Sequence, residues 1–127
     1  MKLKPADVVQ AQLDAYNAHD VEALLATYAV DARQYEQPDR LLAQGQAALR
    51  ERMTARFAAS RPRAELLRRM VLGTTVIDHE RIVNRTPDGT VVRELIAIYE
   101  VDMRPSPERP HGCIVSARFV FGEERPA

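Results

Sequence analysis

The chain changes character at Pro62. Before it, apolar residues recur at helical spacing. After it come four long runs rich in Val, Ile, Leu and aromatics: Glu65 to Leu72, Val76 to Asn84, Val91 to Asp102 and Cys113 to Phe121. Such residues suit a pleated, half-buried surface, so the runs read as strands. Thr86-Pro87-Asp88-Gly89-Thr90 supplies a hairpin turn between the second and third. Helices first and long antiparallel strands after imply an α+β domain with its helices on one sheet face. The chain has 127 residues, enough for one domain and one core. It contains neither an internal repeat nor a low-complexity tract, so residues 1–127 read as a single domain with frayed ends at 1–4 and 123–127.

Pro5 suits a first helical turn, and Val9, Leu13 and Tyr16 follow at helical spacing. Asn17-Ala18-His19-Asp20 breaks that pattern, and Asp20 can cap a second helix carrying Val21, Leu24, Leu25 and Tyr28. Val30 to Gln37 reads as a short strand ended by Pro38-Asp39. Gly45 opens a third helix with Leu49, Met53 and Phe57 four apart, and Ser60-Arg61-Pro62 stops it. Met103 to Pro110, with three prolines, reads as an exposed loop.

Eighteen Lys plus Arg balance eighteen Asp plus Glu. That balance removes the electrostatic case for a nucleic-acid partner. No apolar leader follows Met1, and no stretch approaches the roughly 18–20 apolar residues of a membrane span, so a cytoplasmic protein without membrane contact is expected. Cys113 stands alone in an apolar run, which excludes an intrachain disulfide and reads as a packed thiol. His19, His79 and His111 show no ligand spacing, and there is no phosphate-binding glycine loop. The expectation is therefore no metal and no cofactor.

Four segments resemble the ketosteroid isomerase and SnoaL-like polyketide cyclase group of the nuclear-transport-factor-like superfamily. They are Val8 through Asp20, Tyr28-Ala29-Val30-Asp31-Ala32, Gly45-Gln46-Ala47-Ala48-Leu49-Arg50-Glu51, and Val115 through Glu123. The resemblance implies a cone-shaped α+β barrel, three N-terminal helices packed on a strongly curved, mostly antiparallel sheet enclosing a pocket. It also implies a homodimer through the outer sheet face, which the loose basic run Arg61, Arg63, Arg68 and Arg69 would suit.

The resemblance further places the family's carboxylate base on Glu36, nine residues before Gly45. An apolar cavity would raise its pKa toward the working pH. The plainer reading of Glu36 is a surface residue paired to an arginine. The family's oxyanion donors are missing. The tyrosine position falls on Gln12, with Tyr16 one turn later, and the late aspartate position falls on Ile96 or Ala97. Of the two alternations there, Leu95, Ala97 and Tyr99 are favoured as inward.

In Val76-Ile77-Asp78-His79-Glu80-Arg81, alternation puts Ile77, His79 and Arg81 on one face and Asp78 and Glu80 on the other. The resemblance turns the His79 face inward, making His79 an acid, base or hydrogen-bond donor opposite Glu36 and Arg81 either a contact for an anionic oxygen or a counter-charge to Glu36. A structural histidine bonded to a backbone carbonyl is the plainer alternative. Met53, Phe57, Tyr99 and Phe121 are the expected apolar walls.

Two functions fit. One is an isomerase- or cyclase-like enzyme that transfers a proton on a small, partly apolar carbonyl compound, distinct from classical steroid isomerisation. The other is a non-catalytic small-molecule-binding or dimeric scaffold domain on the same fold.

Overall fold

A computed structural model describes residues 3–127. Its elements run α1 (Pro5–Asn17), α2 (Val21–Ala26), β1 (Tyr28–Glu36), β2 (Arg40–Gln44), α3 (Gly45–Ser60), β3 (Arg63–Leu72), β4 (Thr75–Thr86), β5 (Gly89–Asp102), β6 (Cys113–Phe121) and β7 (Arg125–Pro126). The fold is α+β, with three helices against one mostly antiparallel, curved sheet. The strand order is β2-β1-β6-β5-β4-β3, with β7 pairing β5. Only β1 and β6 run parallel. The hairpin β1–β2 separates α3 from the first two helices, so the three helices do not form one N-terminal block.

Local chemistry sets the ends of the helices. The Lys4 amide donates to the Asp7 carboxylate at 2.7 Å where α1 begins. Asp20 caps α2 by accepting from the Ala23 amide at 3.0 Å. Asn17 has a longer reach. Its side-chain amide donates to the Ala64 carbonyl and its oxygen accepts the Ala64 amide, at 2.9 and 2.7 Å. The end of α1 is thereby fastened to the start of β3. Gly45 opens α3 at φ +83°, a conformation that disfavours any residue with a Cβ.

Several boundaries differ from the sequence reading. Tyr28 belongs to β1 rather than to the second helix, because α2 ends after six residues and Tyr28 pairs with Ile114. β2 had no recognisable signal, since a five-residue strand with one buried side chain shows too little alternation. The tail at 123–127 is partly ordered, with Val91 opposite Pro126 and Val92 opposite Arg125. Residues 1 and 2 of the expected frayed start lie outside the described residues, and Lys4 is tied to Asp7.

The core lies between the sheet and the helices. Val9, Leu24, Tyr28, Leu49, Val76 and Ile114 have no measurable exposure. Leu49, Met53 and Phe57 form the buried stripe of α3. Replacing Leu49 by Ala should cost about 2–5 kcal/mol in a urea unfolding titration, the usual effect of emptying a packed leucine site. A value under about 1 kcal/mol would contradict this account of the α3 contact.

Candidate active site

Between α1, α3 and the inner sheet face lies a cavity of about 200 Å³. An apolar cavity of roughly 150 Å³ already holds benzene, so this one suits a compound of one small ring or a short branched chain. Gln12, Tyr16, Met53, Tyr99 and Phe121 line it. Phe57 does not. Its ring packs edge-on to Tyr16 at 5.4 Å and against His19 at 5.2 Å, one layer behind the wall.

The remaining expected site residues lie elsewhere. On β4 the buried residues are Val76, Asp78, Glu80, Ile82 and Asn84. His79 and Arg81 therefore face outward, the reverse of the expected orientation. His79 Nε2 lies 2.7 Å from a Glu94 carboxylate oxygen, and Arg81 lies 3.8 Å from Glu65. Glu36 is opposite Phe119 in register but at the strand end, outside the lining, with its carboxylate 3.0 Å from Arg40. Glu36 and His79 are thus each engaged outside the cavity, in separate surface pairs. Leu95, Ala97 and Tyr99 are buried, while Ile96 points out.

The inward face of β4 carries the acids instead. Asp78 is fully buried and accepts two bonds from Arg69, at 2.7 and 2.9 Å. Glu80 lines the cavity and has no hydrogen-bond partner among the described residues. Burial pushes its carboxyl up to about 7, the nearby Asp78 charge adds to the rise, and Arg69 offsets part of it.

Around Glu80 stands a polar wall. Arg56 donates from Nε to the Tyr16 hydroxyl at 2.9 Å and from Nη2 to Asn84 at 3.0 Å. Tyr16 accepts that bond, so its own proton remains free to donate. Arg52 donates to Gln34 at 2.6 Å, and Gln34 donates to Tyr28 at 3.2 Å. Tyr99 donates to Gln12 at 3.3 Å. Burial holds Tyr16 and Tyr99 above the usual phenol range and pushes Tyr28 up to about 12, so all three stay protonated near neutrality. No three His, Cys, Asp or Glu side chains cluster to hold a metal among the described residues.

A family model for the SnoaL-like domain matches residues 9–103. The chain belongs to the SnoaL-like family. This SnoaL-like domain is also similar to three solved structures. One is the epoxide hydrolase/cyclase-like enzyme SalBIII, involved in pyran ring formation in salinomycin, at 18% identity and TM-score 0.79, covering 93% of this chain and 90% of that one. Another is an LEH-like epoxide hydrolase from M. tuberculosis, at 16% identity and TM-score 0.75, covering 92% and 81%. A third has a ketosteroid isomerase-like fold and comes from Catenulispora acidiphila in complex with trimethylamine, at 12% identity and TM-score 0.72, covering 91% and 85%. At these identities the likeness concerns the fold. Comparison with curated proteins finds no match.

In this SnoaL-like domain the raised Glu80 value has a stability consequence. Its folded value of about 7 lies above the ordinary 4.5, so its contribution is fully present below about pH 4.5 and lost as pH rises through about 7. The Glu80→Gln variant removes that loss. Its melting temperature relative to wild type should rise between pH 5 and pH 8, by an amount corresponding to roughly 2–3 kcal/mol. Parallel melting curves at both pH values would contradict the burial of an ionisable Glu80.

Proposed function

We propose that this SnoaL-like domain is a cofactor-free enzyme that moves a proton on a small, partly apolar carbonyl compound, with Glu80 as the acid–base group. One observation carries the reading: a buried carboxyl with no protein partner, poised near neutrality, shares a cavity with the uncommitted Tyr16 proton. A base works best when its pKa lies near the operating pH, and Glu80 meets that condition. In the step envisaged, the Glu80 carboxylate takes the proton from the carbon beside the carbonyl. The C–H electron pair moves into the enolate, and the carbonyl oxygen takes up the charge beside the Tyr16 hydroxyl. Protonated Glu80 then returns the proton to the same or a conjugated carbon. Arg56 holds Tyr16 in place and adds a positive charge beside the developing oxyanion.

Gln12, Met53, Tyr99 and Phe121 shape the binding space in this reading, which includes a pocket enclosed by a cone-shaped barrel. It also includes a homodimer through the outer sheet face, where Met70, Leu72, Ile96 and Val120 stand exposed, Leu72 at 86%.

Hydrogen–deuterium exchange in small ketones and enones, followed by NMR in D2O, tests the chemistry without knowledge of the natural substrate. Wild type should catalyse exchange with an apparent pKa near 7. Glu80→Gln should lower the rate by about a hundredfold or more while keeping its circular dichroism. Saturable binding with no exchange in any compound would instead support the non-catalytic binding domain. For the dimer, sedimentation velocity should give a two-chain species that Ile96→Glu converts to monomer, and a monomeric wild type would end that part of the reading.

A further inference from the structure

The cavity wall is electrostatically unbalanced. Arg52, Arg56 and Arg93 line it, and Glu80 is the one acid among its lining residues. None of the three arginines makes an ion pair among the described residues. Their partners are neutral. Arg52 donates to Gln34, and Arg56 donates to Tyr16 and Asn84. Arg93 lies over the Phe121 ring at 5.2 Å, and its buried Nε has no hydrogen-bond partner among the described residues. Arg52 and Arg56 stand one helical turn apart on α3, where like charges repel. Burial also weakens the hold of Arg52 on its proton, and the Arg56 charge adds to that effect.

Partly buried guanidinium groups without counter-charge cost free energy. A ligand that carries the missing negative charge removes the cost. Arg52 and Arg93 are linked by an aromatic pair that faces the cavity. Arg52 lies 5.9 Å from the centre of Phe119, Phe119 stacks on Phe121 at 5.8 Å, and Arg93 covers Phe121. The arrangement offers planar nitrogen donors beside planar apolar surface.

We propose that the compound bound in this cavity is a small organic carboxylate, its anionic end taken by Arg52 and Arg93 and its apolar body laid against Phe119 and Phe121. The planar fork of a guanidinium matches a carboxylate in two parallel bonds. A cavity of about 200 Å³ leaves room for roughly one ring or a short keto chain besides that group. The inference deepens the Glu80 reading by naming the substrate class, a keto acid whose enolisable carbon lies toward Glu80, for which a simple aryl carboxylate is a non-reacting probe of the anion site. It differs from that reading in what can make it fail.

Isothermal titration with matched pairs tests it: benzoate against benzamide, and 4-oxopentanoate against its amide. On wild-type protein at least one carboxylate should bind about tenfold or more tighter than its amide. Arg93→Gln and Arg52→Gln should each bring that ratio close to one, and Arg93→Lys should restore part of it. Because the wild-type ratio needs no variant, the test stands even if Arg52→Gln fails to fold. Equal affinities within both pairs, or no binding by any of the four at ~10 mM, overturn the proposal. So does a ratio that survives both glutamine variants, or inorganic phosphate binding more tightly than either carboxylate. Glu80→Gln separates the two readings. It should abolish exchange yet keep the carboxylate preference, whereas exchange by wild type without any such preference would remove this inference and leave Glu80 as the base.

Discussion

The buried pair of Arg69 and Asp78 decides which way the central strands face. Asp78 has no exposed surface, and Arg69 meets both of its oxygens. Removing either partner from such a pair typically costs about 3–5 kcal/mol, since the other is left charged and dry. Arg69 also donates to Gln10 on α1 at 2.9 Å, which ties the pair to the helix above the sheet. A strand slipped by one residue would carry Asp78 out of reach and turn His79 inward. The bulge between Leu66 and Arg68 serves the same end. Before it the buried Ala64 and half-buried Leu66 sit opposite Ile82 and Glu80; after it the inward position passes to Arg69, opposite Asp78. Arg68 is left opposite His79 on the outer face.

Much of this architecture is legible in the sequence where a single strong signal exists. The turn at Thr86 to Thr90, the cap at Asp20 and the apolar stripe on α3 each have one interpretation, and the structure has the corresponding elements. The parity of β4 is different. Its two faces are Val76, Asp78, Glu80, Ile82 and Asn84 against Ile77, His79, Arg81 and Val83. Both mix aliphatic with charged residues, so alternation defines the faces without ranking them. What ranks them is Arg69, nine residues away on a strand whose own parity changes at a bulge. No local pattern carries that information.

The arginines of α3 carry a signal in their spacing. Arg52 and Arg56 flank Leu49, Met53 and Phe57 on one side of the helix, so the buried stripe and the cavity-facing cations share a face. A reading that stops at apolar residues finds the wall and misses its charge. Glu36 shows the opposite difficulty. Its register opposite Phe119 keeps it on the cavity's strand pair, but two residues beyond Gln34 the wall has ended and Arg40 is the nearer partner. Sequence position alone cannot tell the last inward residue of a strand from the first beyond the rim.

The two acids of β4 show how one strand face separates structure from chemistry. Asp78 and Glu80 are two residues apart, both buried, both within the influence of Arg69. Arg69 commits its side-chain donors to Asp78 and Gln10, so it reaches Glu80 only through space. Glu80 feels the Asp78 charge and the loss of water with no hydrogen bond in return, and its carboxyl rises to about 7. Had Arg69 bonded to Glu80 as well, the rise at Glu80 would be smaller. The stability given up at Glu80 above neutral pH comes first from its burial and then from the Asp78 charge beside it, and it falls at the one acid among the cavity's lining residues.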